Sequence, residues 1–510
     1  MLLISPPVTK PGEPPAGIAK LAGALRGRGI DCRVWDANLD CLLDLLNHGS
    51  TAQDTWTRRA LAHRQKNMDG LRSPNLYRNR DGYKRAVMEI NRLLQVVGRS
   101  HGAAISLSNF KTGTLSPVRS KDLIQAAEHH RSNPFYTIFS THITEIFKER
   151  EPDILGLSIN FMSQALCAFA MIGHIRCRYP RTQFVAGGGL VTSWMKIPGF
   201  GNPFAGLIDE LVCGPGENRL LELCTGKTAE NRSITGSDFS GCEWDAYLSP
   251  LRVLPYSTSN GCYWKKCAFC PEKAENAAYQ TSGSQAIGKN LKQLTDLNSA
   301  GLIHFLDNAL SPRFMQHLIE KPIGLPWYGF ARITDHLADR EFVSGLNASG
   351  CVMLKLGVES GDQRVLDALN KGIDIGTVSR ALNVLRQAGI AAYVYLLFGT
   401  PAEDESSALR TLAFTVQHAH CIDFLNLAIF NLPAYSSEAK HLETKNFYGG
   451  DLSLYREFVH PKGWDRNRVR TFLSKAFKKQ AAIRRVLNND PPFFTSNHAA
   501  FFRLFSVAAP

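Results

Sequence analysis

The 510-residue sequence has no apolar run approaching the length that spans a bilayer, so no membrane span is expected. Its start, Met1-Leu2-Leu3-Ile4-Ser5-Pro6-Pro7, lacks a basic leader region and breaks at a proline pair, so no signal peptide is read there. Regular cysteine pairs are missing too: the 12 cysteines are scattered, mostly single and within apolar stretches, as at Cys167, Cys177 and Cys351. That is the usage of a reducing cytosol and excludes a secreted disulfide scaffold. No G-x-G-x-x-G follows the first strand, which disfavours an ordinary dinucleotide site. The net charge of +13 is unaccompanied by any nucleic-acid module signature. Its concentration at Arg466, Arg468, Arg470, Lys475, Lys478, Lys479, Arg484 and Arg485 therefore reads as a solvated basic helix face. A soluble cytoplasmic protein without a nucleic-acid partner is expected.

What is present is a mid-chain stretch, Gly261-Cys262-Tyr263-Trp264-Lys265-Lys266-Cys267-Ala268-Phe269-Cys270-Pro271, with three cysteines in nine residues. Thiolates are soft ligands for zinc, copper(I) or iron-sulfur clusters. A structural zinc site wants four ligands and a second Cys/His pair, which does not follow here, so a metal position stays open. The length suggests about three domain-sized units.

Before this loop, Met1–Ser5, a helix through Ile18, Leu21 and Leu25, and Cys32–Trp35 open a strand-helix-strand pattern. It resumes at 154–158, with a helical stripe of Leu166, Ala170, Gly173 and Cys177, and with strands at 184–186 and 210–213. This predicts a doubly wound parallel sheet whose ligands lie beyond the strand carboxyl ends. Ser158 to Gln164, Gly187-Gly188-Gly189 to Thr192, and Gly214-Pro215-Gly216-Glu217 fall there. Residues from about 46 to 140 read as a helical insertion that caps the sheet edge, with a basic helix over 78–89 and ordered loops at 106–110 and 115–117.

After the loop, strands at 303–307, 327–332, 352–357, 391–398 and 424–430 join 253–259 to make six, alternating with helices. The cysteine loop, Asp307, Arg332, Glu359-Ser360 and Gly399-Thr400-Pro401 all sit at the carboxyl ends, which predicts a shared pocket. The stretch from about 240, with Trp244, Tyr247 and Leu251, reads as a linker packing onto both domains. The tail from 433 reads as helical and basic. Its aromatic segment 491–502 either closes the mouth of the barrel, bringing His498 or Tyr455 to substrate, or docks the terminus as an aromatic cluster.

The first three loops together resemble the cobalamin-binding domain that precedes many radical S-adenosylmethionine (SAM) domains. L-D-N-A, G-V-E-S-G and F-G-T-P, in that order after the cysteine loop, resemble the radical SAM superfamily in its cobalamin-dependent branch. The resemblance implies an α/β chain in four parts: a Rossmann-like cobalamin-binding domain (1–225), a linker (226–250), a partial (β/α)6 barrel (251–432) and a helical basic extension (433–510). It implies a 4Fe-4S cluster on Cys262, Cys267 and Cys270, and SAM held by Phe269, Asp307, Arg332, Glu359, Ser360, Gly399 and Pro401. Cobalamin would be held by Ser158, Gln164, Gly187, Gly188, Gly189, Thr192, Gly214 and Glu217. The expected activity is formation of a 5′-deoxyadenosyl radical that methylates or rearranges an unactivated carbon of a small molecule, with electrons from a flavodoxin or ferredoxin. A radical SAM enzyme without cobalamin and a metal-stabilised RNA-binding protein are the alternatives. Two departures stand out. The family spacing C-x-x-x-C-x-x-C is lengthened by one residue between Cys262 and Cys267, and D-x-H-x-x-G, the source of a cobalt-binding histidine, is absent.

Overall fold

A computed structural model describes residues 1–47, 54–228, 236–447, 449–492 and 498–501. The chain divides into two compact units, one of Met1–Val253 with Tyr448–Leu454 and Pro492–Ser496, the other of Leu254–Phe447 with Tyr455–Pro491 and Asn497–Pro510.

In the first unit, β1 (Leu2–Ile4), β2 (Arg33–Trp35), β3 (Ile154–Ser158), β4 (Gln183–Gly187) and β5 (Glu210–Leu211) form one parallel sheet in the order β2-β1-β3-β4-β5. Leu2, Leu3 and Ile4 are all buried, as in a strand covered on both faces. The strand order reverses between β1 and β3, the switch point beside which such sheets bind ligands.

Helix Met162–Arg178 is buried almost all round, from Gln164 to Ile175, and not along one stripe alone. The cause is the insertion: helix Ser120–Glu128 approaches so closely that a Cβ on Gly173 would lie 2.0 Å from the Ala127 carbonyl oxygen. The insertion is helical as expected, with its long helix at Arg80–Ser100 capped by Asn79. The expected loop at 106–110 is instead part of a hairpin that pairs Ala103–Ser106 with Asn109–Thr112. The stretch before the second unit is fastened to the first, since Leu248 N–H donates to Pro11 O (2.8 Å) and Tyr247 OH to Asp36 (2.7 Å).

The second unit holds a six-stranded sheet of β6 (Val253–Tyr256), β7 (Leu302–Leu310), β8 (Trp327–Ala331), β9 (Cys351–Glu359), β10 (Ala391–Phe398) and β11 (Phe424–Ile429). The strands lie side by side in chain order, and β7 to β11 pair in parallel. All the loops after these strands therefore gather at one edge.

One expectation changes for the tail. It begins with a small antiparallel sheet of Leu432–Pro433, Tyr455–Phe458 and Thr444–Asn446, so Tyr455 lies in a strand. Helices Arg466–Lys475 and Ala481–Asn489 follow. Buried His498 packs on Tyr393 (4.6 Å between ring centroids) and Phe424 (5.0 Å), near the amino-terminal ends of β10 and β11. It is a docking contact, not a lid over the carboxyl ends, where the polar features lie. The neighbouring residues 493–497 and 502 lie outside the described residues.

Candidate functional site

The cysteine loop leaves β6 under the control of Asp307. This carboxylate, 2% exposed in β7, accepts from Thr258 N–H (2.9 Å), Thr258 Oγ1 (2.7 Å) and Ser259 Oγ (2.6 Å). Burial pushes its pKa up while these hydrogen bonds oppose the shift. Asp307 thus anchors the residues that lead into the cysteine loop.

Farther along, the loop docks on Leu369–Gly372, just past helix Gln363–Ala368. Ala268 N–H donates to Leu369 O (2.9 Å) and Trp264 Nε1 to Asn370 O (3.2 Å). Arg332 donates to Lys371 O and to Gly372 O (2.8 Å) while its guanidinium lies 3.8 Å from the Trp264 ring centroid. Gly372, at φ +61°, leaves the space for the indole, because a Cβ there would lie 2.3 Å from Trp264 Cζ2. The longer Cys262–Cys267 span is thereby held by its own tryptophan.

The three thiols share one electrostatic neighbourhood. Burial raises Cys267, against the nearby charges of Lys371 and Arg332. Burial pushes Cys270 up to about 11, against hydrogen bonds from the amides of Lys273 and Glu272 at the start of helix Pro271–Glu275. Both also feel Cys262. Among the described residues no three His, Cys, Asp or Glu side chains draw close enough to hold one metal ion. Three soft donors on one loop, set apart and lacking a fourth, suit a multi-iron cluster better than a tetrahedral zinc.

At the end of β9, Glu359 adopts φ +67° and pairs with Lys371 (2.8 Å), whose ammonium also lies 5.5 Å from the Phe269 ring centroid. Ser360, fully buried, bonds Thr411 Oγ1 (3.1 Å) and accepts from Asp362 N–H (3.1 Å), so its hydroxyl works within the protein. After β10, Gly399 at φ +77° donates to Glu403, which Trp464 Nε1 also reaches at 3.0 Å. Burial pushes the Glu403 carboxyl up to about 7. Glu403 Oε1 and Thr400 Oγ1 are buried without a hydrogen bond, on either side of half-buried Pro401. Trp264, Lys371 and Gly372 were not singled out in the sequence. Only Asn370-Lys371-Gly372, a turn signal after a helix, marked any of them.

In the first unit, Ser158 pairs in register with Gly187 and its Oγ accepts from Asn160 Nδ2 (3.1 Å). Gly188 has φ +103°, and a Cβ there would lie 2.6 Å from Ile159 O. Asn160, also unnoticed in the sequence, accepts from Gly189 N–H (3.0 Å). Gln164 is fully buried with its amide engaged: Nε2 donates to Pro6 O (2.8 Å), and Oε1 accepts from Asn160 and Phe161 N–H (2.8 and 3.1 Å). Thr192 Oγ1 accepts from Gly214 N–H (2.9 Å), and Glu217 pairs with Lys20 (2.9 Å). Gly187, Gly189 and Gly214 leave the backbone approachable, Gly188 makes room for the Ile159 carbonyl, and Gln164, Thr192 and Glu217 fasten the loops.

The radical SAM superfamily model matches residues 256–415. The anaerobic magnesium-protoporphyrin IX monomethyl ester cyclase of Rubrivivax gelatinosus is 23% identical over 260 residues, which cover 47% of this chain and 46% of the cyclase. The cyclase of Cereibacter sphaeroides is 24% identical over 247 residues, 40% of each chain. The chain thus spans less than half the length of these curated relatives. Among solved structures, the radical SAM methyltransferase TsrM from Kitasatospora setae, with cobalamin and a 4Fe-4S cluster bound, superposes with a TM-score of 0.54 at 15% identity, over 90% of this chain and 83% of that one. The same enzyme with tryptophan substrate and a SAM analogue gives 0.55 at 14%, over 96% and 89%. Among the described residues no helix is long and apolar enough to cross a membrane. Residues 256–415 thus match the radical SAM superfamily, and the fold of the chain is similar to that of TsrM.

Proposed function

We propose that this enzyme holds a 4Fe-4S cluster on Cys262, Cys267 and Cys270, binds SAM beside it and cobalamin on the first unit, and methylates or rearranges an unactivated carbon of a small molecule. The observation that carries this reading is the donor set: three thiols on one docked loop, no fourth protein ligand among the described residues, and the Glu359–Lys371 pair behind them. Bound together, cluster and SAM supply, on one-electron reduction, a carbon radical that removes a substrate hydrogen atom. Around them, the Glu359 carboxylate would accept from the SAM amino group, Phe269 would lie along the adenine, and Gly399 and Pro401 would let the backbone approach the ribose. Asp307, Ser360 and Arg332 act behind this layer by fixing the loops. The low-potential electron would come from a small redox protein such as a flavodoxin or ferredoxin.

Cobalamin, when bound, supplies a methyl group. Ser158, Gly187–Gly189 and Gly214 would line its site, without a lower histidine from D-x-H-x-x-G. One observation favours a second reading, a radical SAM enzyme that does not use cobalamin: Gln164, Thr192 and Glu217 are already engaged inside the protein. Anaerobic reconstitution with iron, sulfide and cobalamin, followed by metal analysis, separates the two by cobalt content. 5′-Deoxyadenosine with S-adenosylhomocysteine supports methyl transfer, 5′-deoxyadenosine alone a rearrangement. Failure to develop iron-sulfur absorbance would refute both.

A further inference from the structure

We infer that Leu369–Gly372 is a shared positioning segment that couples the cysteine loop to Glu359, with Lys371 and Trp264 as its positioning residues. This rests on the function proposed above. The segment follows the helix Gln363–Ala368, where the last carbonyls of a helix lack intrahelical donors. Here those carbonyls are met by the segment's own amides, and the carbonyls of the segment itself by the cluster loop and its neighbour. Leu369 O receives Ala268 N–H (2.9 Å), from between Cys267 and Cys270. Asn370 O receives Trp264 Nε1 (3.2 Å), from between Cys262 and Cys267. Lys371 O and Gly372 O receive Arg332, whose positive charge also suits a helix carboxyl end. The fixed backbone of the segment, with Asn370 N–H on Asp367 O (2.9 Å) and Lys371 N–H on Leu366 O (2.9 Å), makes it a rigid seat.

From the same four residues a side chain reaches the other way. Lys371 Nζ sits 2.8 Å from Glu359 Oε1 and 5.5 Å from the Phe269 ring centroid. One short segment therefore sets where the thiols stand and how the Glu359 carboxylate and Phe269 ring are turned. Trp264, seated against Arg332 and the Cβ-free Gly372, keeps the extra loop residue from displacing Cys262 relative to Cys267. A change at Lys371 should disturb SAM binding and leave the cluster in place, whereas a change at Trp264 should loosen the cluster.

The test uses the full chain reconstituted anaerobically with iron and sulfide. Lys371→Met should retain wild-type iron, bind SAM about tenfold more weakly and lose most of the SAM-induced change in the electron paramagnetic resonance spectrum of the reduced cluster. Lys371→Arg should restore much of both. Trp264→Ala should release iron to a chelator about tenfold faster than wild type at unchanged melting temperature. Trp264→Phe, which keeps the stack and loses the N–H, should fall between. If Trp264→Ala fails to fold, Gly372→Ala, which crowds the indole from the other side, takes its place with the same expected release. Wild-type SAM affinity and spectral response in Lys371→Met, or wild-type iron release in Trp264→Ala and Gly372→Ala, would overturn the coupling while the proposed function stands. A wild-type protein that takes up no iron-sulfur cluster overturns both.

Discussion

Both sheets present a row of polar and glycine-rich loops at their carboxyl edges, and the two rows are built differently. In the second unit, chemically distinct side chains converge: Asp307, Arg332 and the loop's own Trp264 brace the cysteine loop, and Lys371, beside Phe269, carries the connection on to Glu359. In the first unit, Gln164, Thr192 and Glu217 each tie one loop to its neighbour and extend no further, leaving the approachable surface to glycine backbone. A polar residue at a strand end is therefore of two kinds, one facing a ligand and one fastening the loop that does. Only the partners of each side chain distinguish them.

The largest expected effect tests the converging row. Cys267→Ala should reduce bound iron from about four per chain to below one after anaerobic reconstitution, and SAM cleavage by about a thousandfold or more. Ser158→Ala, in the other row, should leave iron unchanged. Equal iron loss in the two variants would erase the contrast between the units.

The next comparison sets one fastening residue from each row side by side. Asp307→Ala strands the buried Thr258 N–H and two hydroxyls and should destabilise the protein by about 3 kcal/mol in denaturant titrations. Gln164→Ala should cost about 2 kcal/mol, since a neutral amide leaves fewer strong donors behind. A ligand-facing Asp307 would instead weaken SAM binding at unchanged stability.

Glu403 gives the second unit a pH signature. Its carboxyl is raised from the ordinary 4.5 to about 7 by burial, so the folded state holds its proton more tightly than the unfolded chain. Its contribution is complete below pH about 4.5 and disappears as pH rises through about 7. Between pH 5 and 8 the loss should be on the order of 2 kcal/mol, and Glu403→Gln should flatten that part of the stability profile.

Much of this organisation was legible beforehand, for identifiable reasons. Six strands alternating with helices, and the cysteine loop directly after the first of them, follow from apolar periodicity, which reports burial in a parallel sheet. The hairpin at 103–112 and the strand Tyr455–Phe458 were missed because short strands carry too few alternating positions to stand out. Asp307, Arg332 and Ser360 were found as positions at strand ends, but not their contacts within the fold, because Thr258, Trp264 and Thr411 lie tens of residues away in the chain. Trp264 and Gly372 illustrate the limit: the glycine is required by an indole 108 positions earlier, and no local spacing encodes that contact.

The smallest effect sharpens the comparison most. Glu217 opens the helix Glu217–Thr225 and pairs with Lys20 across 2.9 Å, with both side chains under a fifth exposed. Such a partly exposed pair contributes about 1 kcal/mol or less. Glu217→Gln keeps the side-chain shape and removes the charge, so denaturant titration should register a loss of that size. If Glu217 only fastens its loop, cobalamin retained on gel filtration by the reconstituted protein should match wild type. A Glu217→Gln variant that keeps its stability and loses cobalamin would move this residue from the fastening kind to the ligand-facing kind, and with it the Gly214–Glu217 loop would become a wall of the cofactor site.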